Sequence, residues 1–207
     1  MLNSLTKALL AIAMLSFFPI RFVAQNLVPN SSFESYSTCP TYAIEFDTAL
    51  NWFTAPHCLP PELYNECDTT KNGEVNIPHN YWGIQYPRTG KGYAGFYARS
   101  SNPGYNVRKY LSVRLDSTLK AGVKYCLNFY LSLADTCTIG ISSIGIYFSA
   151  DTPNVPNVIS NTWLLNYTPQ FLNSSSNFIT DKDNWVPVRG EYVASGGENF
   201  ITIGNFS

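Results

Sequence analysis

The segment Lys124-Tyr125-Cys126-Leu127-Asn128-Phe129-Tyr130-Leu131-Ser132-Leu133-Ala134-Asp135 constrains the fold more than any other part of the chain. Tyr125, Leu127, Phe129, Leu131 and Leu133 alternate with smaller or more polar residues. A period of two places one set of side chains on a single face of an extended strand. The alternation recurs in Asn106 to Leu115, where Tyr110, Ser112 and Arg114 oppose Leu111, Val113 and Leu115. It recurs again in Ile139 to Ser149, with Ile144, Ile146 and Phe148 in register. Trp185 to Ala194, Asn199 to Phe206, Tyr93 to Ala98 and the opening Leu27-Val28 segment read as further strands. Proline and glycine punctuate the chain, and no long helical periodicity appears. Short strands between turn-rich loops predict an all-β sandwich or barrel. Cys39 to Pro87 and Pro153 to Asp183 read as long irregular loops. Loops of that length in a compact domain are usually functional or pinned by a disulfide.

An apolar leader precedes these elements. Lys7 is its only early charge, and Ala8 to Ile20 form an apolar core too short for the roughly 20 residues of a membrane span. Residues 1–24 therefore read as a signal peptide cleaved after Ala24, and 25–207 as one exported domain. No later run is long and apolar enough to span a membrane after cleavage. The net charge of −1, with 13% charged residues, supplies neither a basic stripe for nucleic acid nor a polybasic membrane patch. The chain holds 5 cysteines, all beyond the leader, which in an exported protein predict two disulfides and one thiol left over. Cys58 with Cys67 would staple a loop, and Cys126 with Cys137 would join two neighbouring strands. The terminal Ile201-Thr202-Ile203-Gly204-Asn205-Phe206-Ser207 reads as a strand with nothing after it. An unpaired edge would result, so the chain is expected to be the N-terminal part of a longer protein.

The opening Asn26-Leu27-Val28-Pro29-Asn30-Ser31-Ser32-Phe33-Glu34, followed by Cys39-Pro40 and Asn51-Trp52-Phe53, resembles the start of galactose-binding-like jelly-roll modules, including carbohydrate-binding modules. Pro61 to Cys67, Gly83 to Gly95, Leu131 to Asp135 and Ile201 to Phe206 resemble exported modules of bacteria that use type IX secretion. The resemblance implies a jelly-roll β-sandwich with long irregular loops, located at the cell surface, on the outer membrane or in the medium. It also implies a place N-terminal to an OmpA-like or secretion-sorting domain. An early acidic residue in such modules helps hold a structural calcium, a role that would fall to Glu34. A calcium ion takes about 6–8 oxygen ligands, of which Glu34 would be one.

Aromatics reach 15% of the chain. Flat rings stack on sugar rings, and nearby amides and carboxylates bond hydroxyls. Tyr64, Asn65, Glu66, Tyr81, Trp82, Gln85 and Tyr86 form the expected ligand-binding set, with Tyr81, Trp82 and Tyr86 expected at the surface because proline and glycine surround them. Trp52 and Tyr93 are expected to pack inside. The sequence carries no nucleophile elbow, since Gly140-Ile141-Ser142-Ser143-Ile144-Gly145 departs from that motif. Glu62, Glu66, Asp68 and Glu74 lie close together, but a glycosidase needs two carboxylates held about 5–10 Å apart across a bond. The expected function is non-catalytic binding of a glycan. The alternatives are a structural or adhesive envelope module with a protein partner and, further off, a polysaccharide-processing enzyme. No cofactor beyond the calcium is expected.

Overall fold

The computed structural model describes residues 25–70, 73–100, 106–154 and 164–207; the expected leader lies outside them. The described chain is all-β, with antiparallel ladders and a single 3-10 turn at Phe46–Thr48. The strands are β1 (Trp52–Phe53), β2 (Glu62–Asn65), β3 (His79–Asn80), β4 (Gly83–Ile84), β5 (Gly92–Gly95) and β6 (Leu111–Arg114). They continue with β7 (Lys124–Leu131), β8 (Ile144–Ser149), β9 (Phe171–Leu172), β10 (Val186–Val193) and β11 (Phe200–Asn205).

The largest sheet has the order β1-β6-β11-β8-β9. Its register places Ile201 beside Val113 and Phe148, and Ile203 beside Leu111 and Ile146. These residues form one apolar face, because alternate residues share a side of a strand. The second long element is the β7–β10 ladder, which pairs Lys124 with Val193 and runs to Leu131 with Val186. Tyr125, Leu127, Phe129 and Tyr192 of that ladder join the same core as Val113, Ile146, Phe148 and Ile201. Phe148 and Tyr192 stack at 4.0 Å across it. Leu63 of β2 and Trp52 of β1 complete the cluster. On the opposite side of the large sheet, Thr202 and Ser112 share a hydrogen bond of 2.8 Å, and buried Tyr110 packs with Leu165, Tyr167 and Phe206.

Several expectations need correction. The opening stretch is a set of turns, with Asn30 and Phe33 at positive φ. Asn30 explains it: its amide donates to the carbonyls of Ser35 and Leu50 at 2.8 Å each, and its oxygen accepts from Ser35 N–H. An Asn side chain that bonds backbone locally competes with a ladder. Trp52 Nε1 then donates to Asn30 O at 3.0 Å, so the stretch is fastened to β1 rather than paired as a strand. The loop expected from Cys39 to Pro87 contains β1 to β4. No exposed edge forms at β11, which is flanked by β6 and β8.

The expected disulfides are also replaced. Cys67 bonds Cys39, with Cα atoms 6.0 Å apart, while Cys58, Cys126 and Cys137 are free thiols. Cys126 and Cys137 do not meet because β7 pairs with β10, not with β8, the strand that follows Cys137. Cys126 sits at an exposed position opposite Glu191. Cys58 packs beside Tyr110 and Leu165, and burial pushes its thiol up to about 12.

Candidate functional site

The site is built on β2 and β5. All four residues of β2 are buried, which the alternation of a single-faced strand would not give. Leu63 points into the main core, whereas Tyr64 joins a separate cluster with Val75 and Ile77, against which Tyr93 and Trp82 pack. Both faces of β2 are therefore covered. Tyr64 and Tyr93 stack at 4.8 Å, and burial raises both phenols above their ordinary value. Glu62, two residues from Tyr64, meets Lys109 Nζ in a buried ion pair. Burial pushes the Glu62 carboxyl up against the pull of the ammonium. The Tyr97 ring lies 4.8 Å from Lys109 Nζ and closes the pair from outside. Two charges removed from water persist only when well paired.

Over this base lies the β3–β4 hairpin. Asn80 Nδ2 donates to Tyr93 OH at 2.9 Å, and Trp82 N–H donates to Asn80 Oδ1 at 2.9 Å. Thr136 N–H donates to Trp82 O at 3.2 Å, and Ile84 N–H donates to Asp135 Oδ2 at 2.8 Å. Gly83 has φ 137°, and an added Cβ would run into the Asp135 side chain. The hairpin can press this closely on the segment after β7 only with glycine there. Ser132 Oγ donates to Gln85 Oε1 at 3.0 Å, and Trp185 Nε1 donates to Tyr86 O at 2.9 Å. The loop is thus bonded to β5, to the end of β7 and to the start of β10.

The expected ligand-binding residues separate into two groups. Tyr81 is 69% exposed and Tyr86 is 67% exposed, so each offers most of a ring to solvent. Trp82 is half-buried and meets Tyr81 and Tyr97 edge-on, at 4.9 Å and 5.1 Å. Gln85 holds the loop through Ser132 and through its own bond to Tyr86 O. Glu66 is exposed and pairs with Lys91 at 3.1 Å. Tyr64 and Asn65 lie beneath: Tyr64 is the stacked floor, and Asn65 Oδ1 accepts from Cys67 N–H at 3.0 Å. Trp52 is buried in the main core, as expected.

Glu34 pins a turn. Its two carboxylate oxygens accept from Lys91 N–H at 3.0 Å, and one accepts from Gly92 N–H at 3.2 Å. Gly90, at φ 65°, passes directly over that carboxylate, where any Cβ would collide with it. Among the described residues, no group of three or more His, Cys, Asp or Glu is gathered for a metal. The acidic residues near β2 face different partners. Glu62 holds Lys109, Asp68 Oδ1 accepts from Thr70 N–H, and Glu74 accepts from Ala43 N–H.

Asp135 and Trp185 were outside the expected set, yet both fasten the hairpin. Each stands at the end of a legible strand, which is the only sequence signal they carry. No family model, no curated protein and no solved structure matches the chain.

Proposed function

We propose that the chain is an exported, non-catalytic β-sandwich module of jelly-roll type that binds a glycan at the cell surface or in the medium. The observation behind this reading is the pair Tyr81 and Tyr86, about two-thirds exposed on a loop bonded to three other elements, to two of them through its backbone and to β5 through the Asn80 side chain. A ring held in place before contact loses little freedom on binding. Tyrosine suits the task because it has an apolar body and a polar tip. Sugar rings would stack on Tyr81 and Tyr86 and touch the free edge of Trp82. Exposed Glu66 and the amide of Gln85 would bond hydroxyls. Tyr64 and Asn65 would act from below, by setting the height and tilt of the loop.

The second reading is an envelope scaffold that binds a protein partner. It is favoured by the edge-on packing of Trp82 between Tyr81 and Tyr97, since the two exposed tyrosines are then not backed by a flat indole face. A glycan array probed with the purified chain separates the two. Retention on a defined set of polysaccharides supports the first reading, and a blank array with retained folding supports the second.

A further inference from the structure

A cleft of about 380 Å³ opens beside the end of β8, and none of the residues of the Tyr81–Tyr86 site lines it. Tyr147, Ser149, Asp151, Tyr167 and Glu198 line it. Tyr147 and Tyr167 stack at 4.5 Å with their planes 15° apart. Tyr167 is held in that pose by its hydroxyl, which donates to Asn154 O at 3.0 Å.

Glu198 is 6% exposed. It accepts from Tyr192 OH at 2.5 Å, from Ser195 N–H at 2.8 Å and from Gly196 N–H at 2.9 Å. Burial alone would raise its carboxyl, but these bonds together outweigh it and hold the group below its ordinary value. Among the described residues, no Lys, Arg or His lines the cleft. Among the described residues none lies within 4.0 Å of the Glu198 or Asp151 carboxylate. A buried anion without a cationic partner favours a positive ligand. Ser149 Oγ is also buried and has no hydrogen-bond partner among the described residues. Buried hydroxyls are normally bonded, and a turn about χ1 would bring this one to a ligand hydroxyl at the cleft wall.

We propose that the cleft binds an amine-bearing saccharide unit. Its ammonium faces the Glu198 and Asp151 carboxylates, its ring edge meets Tyr147 and Tyr167, and one hydroxyl reaches Ser149 Oγ. Negative charge holds the ammonium while the aromatic rings take the apolar edge of the sugar. This site does not depend on the Tyr81–Tyr86 surface.

The test is a ¹H–¹⁵N NMR titration of the full chain with glucosamine hydrochloride at pH 6.5, with N-acetylglucosamine and glucuronate as comparators. Glucosamine is expected to shift the Ser149, Ser195 and Gly196 amides saturably. N-acetylglucosamine should bind at least about ten-fold more weakly, the factor expected for losing a charged hydrogen bond. Glucuronate should leave those amides in place. Glu198→Gln should weaken glucosamine by a similar factor. Asp151→Asn and Tyr147→Ala, which leave the Glu198 bonds intact, serve if that variant fails to fold, and each should weaken binding several-fold. The proposal is overturned if glucosamine shifts none of these amides or binds no better than its acetylated form. It is equally overturned if Asp151→Asn and Tyr147→Ala bind glucosamine unchanged.

Discussion

The β7–β10 ladder and the shell around β2 are held together by different physics. In the ladder, eight residue pairs run without interruption and the inward side chains alternate into the core. Around β2, four residues are buried on both faces, and order comes from a buried ion pair, a disulfide and side chains bonded to backbone. Hydrophobic contact is non-directional, whereas hydrogen bonds and ion pairs fix orientation. The ladder therefore supplies a platform, and the directional pins of the shell set the pose of an exposed loop. The proposed recognition is assigned to the second region for that reason.

The contrast is sharpest at Lys109. Lys109→Met leaves Glu62 buried without its partner and is expected to cost about 3–5 kcal/mol in urea unfolding, with most of the loss recovered in Lys109→Met/Glu62→Leu. A cost below that of an ordinary core truncation would break the contrast. Removing the Cys39–Cys67 bond by Cys39→Ser/Cys67→Ser should cost about 2–4 kcal/mol, because the unfolded chain regains freedom between the two sites. In the ladder, Val188→Ala deletes two fully buried methyls and should cost about 2 kcal/mol. That loss should leave the hairpin amides as protected from hydrogen exchange as before, whereas Lys109→Met should expose them.

Glu198 lies between the two regions in character, since it belongs to the turn after β10 yet acts through polar bonds. Its carboxyl is held below its ordinary value, so the fold favours the ionised form. The stability it contributes is present above about pH 4.3, the free glutamate value, and is lost as pH falls through the depressed folded value. Acid unfolding of Glu198→Gln should lack that component, and its neutral-pH stability should fall by about 1–2 kcal/mol. An unchanged acid limb would remove Glu198 from the account.

Legibility in the sequence follows the same division. Tyr125, Leu127 and Phe129, and likewise Ile144, Ile146 and Phe148, were readable because alternation is local. The opening stretch was not, because Asn30 acts through Ser35 and Leu50, one of them 20 positions away. Cys39 and Cys67 are 28 positions apart, and only the packing of β2 brings them together. Of the expected binding residues, Tyr81 and Tyr86 were legible as surface residues from their proline and glycine surroundings, and both are exposed. Tyr64 and Asn65 carry the same residue types, but β2 is covered on both sides, a fact that depends on Val75 and Ile77. The clamps Asp135 and Trp185 carry no local signal beyond their places at the ends of legible strands.

The smallest expected effect on stability belongs to the residues that matter most for the proposed function. Tyr81→Ala and Tyr86→Ala remove exposed rings and should each change stability by about 0.5 kcal/mol or less. The decisive measurement is the retention of Tyr81→Ala/Tyr86→Ala on the polysaccharide that best retains the unmodified chain, made beside its urea midpoint. The account predicts that retention is lost while the midpoint stays where it was. Retention equal to that of the unmodified chain, at the same midpoint, would contradict it.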